Sequence, residues 1–242
     1  MPFFRFACLS LLFLLAACSS EQNDPYPASE RGENILYSAF TERPKHLDPV
    51  QSYSEDEATF TAQIYEPPLQ YHYLKRPYTL IPATAEAVPE PRYFDAAGRK
   101  LPVNAPASQI AFSDYEIRIR PGIRYQPHPA FALDAGGAPL YADLNRQKLR
   151  GIERIADFAH TGTRELTADD YIYEIKRLAH PRLNSPLFST MSERIVGLKE
   201  LGEQLRAEAT AHPEYWLDLD RFALKGVTRV DRYTYRIRLH GK

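Results

Sequence analysis

The chain has 242 residues with 30 Lys and Arg against 31 Asp and Glu, 44% hydrophobic and 25% charged, which is the make-up of an ordinary folded protein rather than a disordered or collagen-like one. Acids and bases nearly cancel and no basic face dominates, so no nucleic-acid partner is expected. The 20 prolines exceed the usual share of about 5% and, with 16 tyrosines, suit rigid loops and amphipathic surfaces.

In chain order, residues 1–17 read as a lipoprotein signal peptide. Arg5 precedes the apolar run Phe6 to Leu15, and the small residues Ala16 and Ala17 follow. That run is too short for a bilayer-spanning helix of about 20 residues. Leu15-Ala16-Ala17-Cys18 resembles a bacterial lipobox, so cleavage is expected before Cys18, with lipid on its thiol. The other cysteine, Cys8, lies inside the apolar run, so the mature chain would carry neither a free thiol nor a disulfide, in keeping with an oxidising compartment. Each buried acyl methylene contributes about 0.8 kcal/mol, and several chains anchor firmly. The expected location is the periplasm or cell envelope, lipid-anchored to a bacterial membrane, with inner and outer membranes both open.

Residues 18–33 are polar, with two prolines, and read as the lipidated cysteine and a flexible tether. Asn34 to Phe40 has strand character. Leu47-Asp48-Pro49 makes a turn, and Ser54 precedes Glu55, Asp56 and Glu57 as the cap and acidic first turn of a helix ending before Pro67-Pro68. Residues 75–110, broken by prolines, read as loops joining short strands. Polar and apolar residues alternate in Tyr115 to Arg120, a half-buried strand closed by Pro121-Gly122, and again in Tyr233 to Leu239. Thr167 is expected to place a capping hydroxyl before a helix with an apolar stripe through Ile172, Ile175 and Leu178, stopped by Pro181. A second amphipathic helix spans roughly Leu198 to Ala211. Strands and helices mix without repeats, so the class is α/β or α+β.

Local chemistry is sparse. The seven histidines are never closer than 20 residues, which excludes a local zinc motif. There is no G-x-S-x-G, H-E-x-x-H or S-x-x-K nucleophile signature, and no Gly-rich phosphate loop. Asp169-Asp170 fit a helix start better than an acid–base pair. Arg146, Lys148, Arg150 and Arg154 fit a solvated face on an inserted loop better than an anion site. The expectation is a protein that is not an enzyme and holds no cofactor or metal.

Four segments, in order, resemble the extracellular solute-binding proteins of family 5, the peptide receptors of ABC importers. They are Pro44 to Pro49 with Ile64 to Leu69; Arg120 to Tyr125; Leu166 to Tyr173 continuing through Lys176-Arg177-Leu178-Ala179 to Ser185-Pro186; and Gly226-Val227 with Asp231 to Thr234. The resemblance covers roughly residues 34–242. Pro67 and Pro68 depart from the small residues more usual there, and about 126–164 looks like an insertion. The resemblance implies an incomplete type II periplasmic-binding-protein fold lacking the second lobe, since family members are markedly longer, so the chain reads as an amino-terminal fragment.

The implied activity is capture of a peptide ligand between two lobes and its delivery to ABC permease subunits. The loop after Leu47-Asp48-Pro49 would supply backbone contacts to the peptide, here Tyr53, Ser54 and Glu55; a plain turn and helix cap explains Ser54 and Glu55 equally well. The alternative function is an envelope lipoprotein remnant with only a scaffold or interaction role.

Overall fold

A computed structural model describes residues 26–242. The chain divides into two compact units, the first ending at Thr41 and the second running from Glu42 to Lys242.

In the first unit Ala28–Glu30 forms one turn of 3-10 helix inside the stretch expected to be tether. The Tyr26 and Tyr37 rings stack with centroids 3.5 Å apart, and the Tyr37 hydroxyl donates to Glu30. Residues 34–40, expected as a strand, form none. Strand propensity is realised only against a partner edge, and none of these residues enters a ladder; Leu36 is almost fully exposed.

The second unit is built on a five-stranded antiparallel sheet in the order β4-β3-β5-β7-β6. Its strands are β3 (Arg92–Phe94), β4 (Lys100–Leu101), β5 (Phe112–Arg118), β6 (Val227–Arg229) and β7 (Thr234–His240). The two alternating segments of the sequence are β5 and β7, and they pair along their whole length, with Ile117 opposite Tyr235 and Glu116 opposite Arg236. Alternation therefore sorts each strand into two faces. One face carries Ile117, Tyr235, Ile237 and Leu239 into the main core. On the other, Glu116 accepts from Arg92 at 2.6 Å and Arg236 at 3.0 Å, and Asp114 accepts a two-point bond from Arg238 at 2.6 and 2.9 Å. Opposite charges across adjacent strands support the register that the apolar face sets.

A separate two-stranded antiparallel hairpin joins β1 (Leu69–Tyr71) to β2 (Leu80–Pro82). Four α-helices occur among the described residues: α1 (Glu55–Ile64), α2 (Ala168–Arg177), α3 (Phe188–Arg194) and α4 (Leu198–Ala211). The α4 boundaries match the sequence reading, and its leucine stripe, Leu198, Leu201 and Leu205, is fully buried in the main core. Burying each such side chain contributes about 1.5–3 kcal/mol. Gly202 lies on the same helix against the Phe188 ring; a methyl there would collide with it, so the glycine sets how closely α3 and α4 approach.

The α2 start is closed by a capping box with Thr167 as the expected N-cap and Asp170 as its reciprocal partner. The Thr167 N–H donates to Asp170 Oδ2 at 2.8 Å, and the Thr167 hydroxyl donates to the same oxygen at 3.2 Å. Residues 129–161 leave this body through a neck in which Tyr125 N–H donates to Arg164, and His128 and Gly162 exchange backbone bonds. The basic residues Arg146, Lys148, Arg150 and Arg154 are all exposed within it. Among the described residues all ladders are antiparallel, and the architecture there is mixed α+β with two antiparallel sheets.

Candidate functional site

Cys18 and the signal segment 1–17 lie outside the described residues. Tyr53, Ser54 and Glu55 lie at the entry to α1. The preceding turn forms because Asp48 folds back on its own backbone: Val50 N–H donates to Asp48 Oδ1 at 3.1 Å, and Gln51 and Ser52 N–H donate to its carbonyl at 3.0 and 2.8 Å.

One carboxylate organises everything between that turn and the helix. Glu57 Oε1 accepts from the N–H groups of Lys45 at 3.0 Å and His46 at 2.8 Å. Glu57 Oε2 accepts from Tyr53 at 2.9 Å and Ser54 at 3.2 Å, and Ser54 Oγ accepts the Glu57 N–H at 3.2 Å, closing a capping box. Glu57 is buried, and hydrogen bonds from the Tyr53, His46 and Ser54 N–H groups pull its pKa down from 4.5 to about 2.

The N–H groups of Tyr53 and Ser54 are thus already spent on Glu57, and the Ser54 carbonyl accepts from Ala58 at 2.9 Å. What the loop presents outward is the Tyr53 ring, 72% exposed, and the exposed Glu55 side chain. An aromatic ring beside a carboxylate suits contact with a mobile cationic or amide group. It supplies no nucleophile paired with a base.

The loop is held against α2 by side chains far off in sequence. Arg177 donates to Asp48 Oδ1 at 3.0 Å and also to its Oδ2, and to Glu174 at 2.8 Å; Gln51 Nε2 donates to the Leu183 carbonyl at 3.0 Å. Burial alone would lower the Arg177 pKa, but the bonds to Asp48 and Glu174 outweigh it and raise it. At the other end of α2 the Tyr171 hydroxyl donates to the Glu66 carbonyl at 3.0 Å and lies 2.6 Å from Thr84 Oγ1, while its ring stacks on Tyr235. Glu165 completes the set: it accepts from Gly122 N–H at 2.7 Å, Arg232 at 2.9 Å and Tyr233 Oη at 3.0 Å, and Arg232, then Gly122, hold its pKa below the usual value.

The four resembling segments therefore meet around α2. The first reaches it through Asp48 and Glu66, the second through the Ile123 carbonyl, which accepts the Leu166 N–H at 2.8 Å just before the helix, and the fourth through the Arg232 carbonyl, which accepts the Ala168 N–H at 3.0 Å. Glu57, Glu165, Tyr171 and Arg177 were not singled out for these roles by sequence. Glu57 had a readable signal, the Ser54-x-x-Glu57 spacing, and Arg177 had its i,i+3 pair with Glu174; the bonds of Glu165, Tyr171 and Arg177 to Gly122, Glu66 and Asp48 span more than forty residues and had none.

Two concavities, of about 320 and 380 Å³, lie beside the end of α4 at Tyr215 and Trp216 and in the 140–160 excursion, and neither includes Tyr53, Ser54 or Glu55. Among the described residues no cluster of three His, Cys, Asp or Glu is placed to hold a metal ion, and no helix is long and apolar enough to cross a membrane.

No family model matches the chain, and no curated protein matches it. Among solved structures, the pheromone receptor PrgZ, studied for its mode of peptide binding, aligns with 82% of this chain at a TM-score of 0.43 and 16% identity. This chain spans 26% of that receptor's length. A likeness at this level does not establish kinship.

Proposed function

We propose that this chain is the peptide-receiving part of an exported receptor, tethered by lipid on Cys18 in the envelope and handing peptide to the permease of an ABC importer. The observation that carries the reading is the convergence on α2 of the four segments resembling family 5 receptors. Asp48–Arg177 and Glu66–Tyr171 join the first segment to the third, and the Ala168 N–H on the Arg232 carbonyl joins the third to the fourth. Peptide would lie across Tyr53, Ser54 and Glu55, with the Tyr53 ring and the Glu55 carboxylate as its contacts. The role is binding without chemistry, and it needs no cofactor.

Tight capture requires a ligand to be largely enclosed. In this reading the open loop at Tyr53 serves as one wall of such a clamp, so this chain alone should hold peptide weakly. A competing reading, an envelope lipoprotein serving only as a scaffold, is favoured by one observation: the Tyr53 and Ser54 N–H groups are consumed by the Glu57 cap and unavailable for strand addition.

Nuclear magnetic resonance titration of residues 19–242 with a mixture of short peptides separates the two. The receptor reading expects fast-exchange shifts at Tyr53, Ser54 and Glu55 that fail to saturate below about 1 mM, a binding free energy weaker than about −4 kcal/mol. Silence at this loop would favour the scaffold, and tight saturable binding would overturn the one-wall account.

A further inference from the structure

The β1–β2 hairpin combines cations with large exposed side chains and carries no acid of its own. From Pro67 to Ala85 there is no acidic residue, in a chain that carries 31, while His72, Lys75 and Arg76 sit together in the connecting loop. The same stretch projects its large side chains outward: Tyr73 is 81% exposed and Leu74 68%, and Tyr71 and Tyr78 are also exposed. The Tyr71 and Tyr78 rings meet edge to face at 5.7 Å, and the Arg76 guanidinium lies 4.5 Å from the Tyr78 centroid. Arg76 Nη1 donates to the Tyr73 and Lys75 carbonyls at 3.3 and 3.0 Å, which holds the cation at the tip. Among the described residues neither Lys75 nor Arg76 pairs with a carboxylate.

From this we infer that the hairpin tip is a membrane-contact element that seats on an anionic phospholipid surface. Tyrosine rings belong at the headgroup level, a leucine can enter the acyl boundary beside them, and cations meet lipid phosphates. Charge complementarity decides the occupant: two cations that pair with no carboxylate among the described residues attract an anionic surface. The argument rests on the hairpin's own residues; a lipid on Cys18 would add proximity without being required.

The test is sedimentation of the unlipidated chain from Ser19 onward with vesicles of phosphatidylcholine alone and of phosphatidylcholine mixed with phosphatidylglycerol. The expected result is partition onto the phosphatidylglycerol vesicles only, weakening as salt rises. Lys75→Glu with Arg76→Glu should lower partition at least about tenfold, and Tyr73→Ser with Leu74→Ser should lower it as well. Lys148→Glu with Arg150→Glu, on the exposed excursion, should leave partition nearly unchanged, separating the hairpin from general basic attraction. All six positions are exposed, and circular dichroism verifies that each variant is folded. Equal partition of the chain and its hairpin variants, or no partition at all, overturns the inference. So does a concentration-dependent dimer that the same hairpin variants abolish, which would assign the tip to a second copy. Because no lipid anchor and no peptide enter the experiment, its failure leaves the receptor reading untouched.

Discussion

Glu57 illustrates how much one side chain can organise. Its carboxylate gathers four backbone N–H groups from two stretches of chain, and those bonds draw its pKa down to about 2. A depressed carboxylate pKa means the unfolded chain takes up the proton first. The stabilisation is thus complete above the ordinary value near 4.5 and lost as pH falls from there towards 2. Glu57→Gln removes that titration, so the fall in urea midpoint between pH 4.5 and 2 should be shallower than in the unaltered protein, with a lower midpoint at neutral pH. Parallel curves would contradict the assignment. The Ser54-x-x-Glu57 half of this cap is a sequence pattern, but Lys45 and His46 reach the same carboxylate only because the turn at Asp48 brings the chain back. At Thr167 the expected cap forms, but the sequence does not say which of the two acids that follow becomes its reciprocal partner; the fold selects Asp170.

At the scale of elements, periodicity carried most of the information. The leucine stripe defined α4 to its ends, and alternation found β5 and β7, because both patterns report which side faces the core. That β5 and β7 lie side by side was not readable, since the register of distant strands is set by packing on both faces. Residues 34–40 show the converse, a strand-like composition without a partner edge. The most informative junction is the half-buried Asp48–Arg177 pair, which binds the first resembling segment to the third. Arg177→Met should destabilise the second unit by about 2 kcal/mol, the worth of charge-assisted hydrogen bonds in a partly buried setting. In a double-mutant cycle with Asp48→Ala, urea denaturation should return a coupling of about 1–2 kcal/mol; additive effects would show that the contact does not join the two segments energetically.

Across the whole molecule, the site and the membrane elements draw on different kinds of evidence. The Tyr53–Glu55 loop was nominated by sequence resemblance, while its framing by α2 emerged only from folding. The hairpin needed both: the absence of acids between Pro67 and Ala85 is plain in the sequence, and the outward projection of its tyrosines is a property of the fold. The lipid tether rests on Leu15-Ala16-Ala17-Cys18 alone, and the receptor role proposed for the protein depends on its export. Intact mass spectrometry of the full chain, expressed in a bacterium and recovered from the membrane fraction, tests that claim directly. The expected mass is that of a polypeptide beginning at Cys18 and carrying acyl chains, with Cys18→Ser abolishing both cleavage and lipid. A cytosolic protein with the unmodified mass of Met1 to Lys242 would contradict the account.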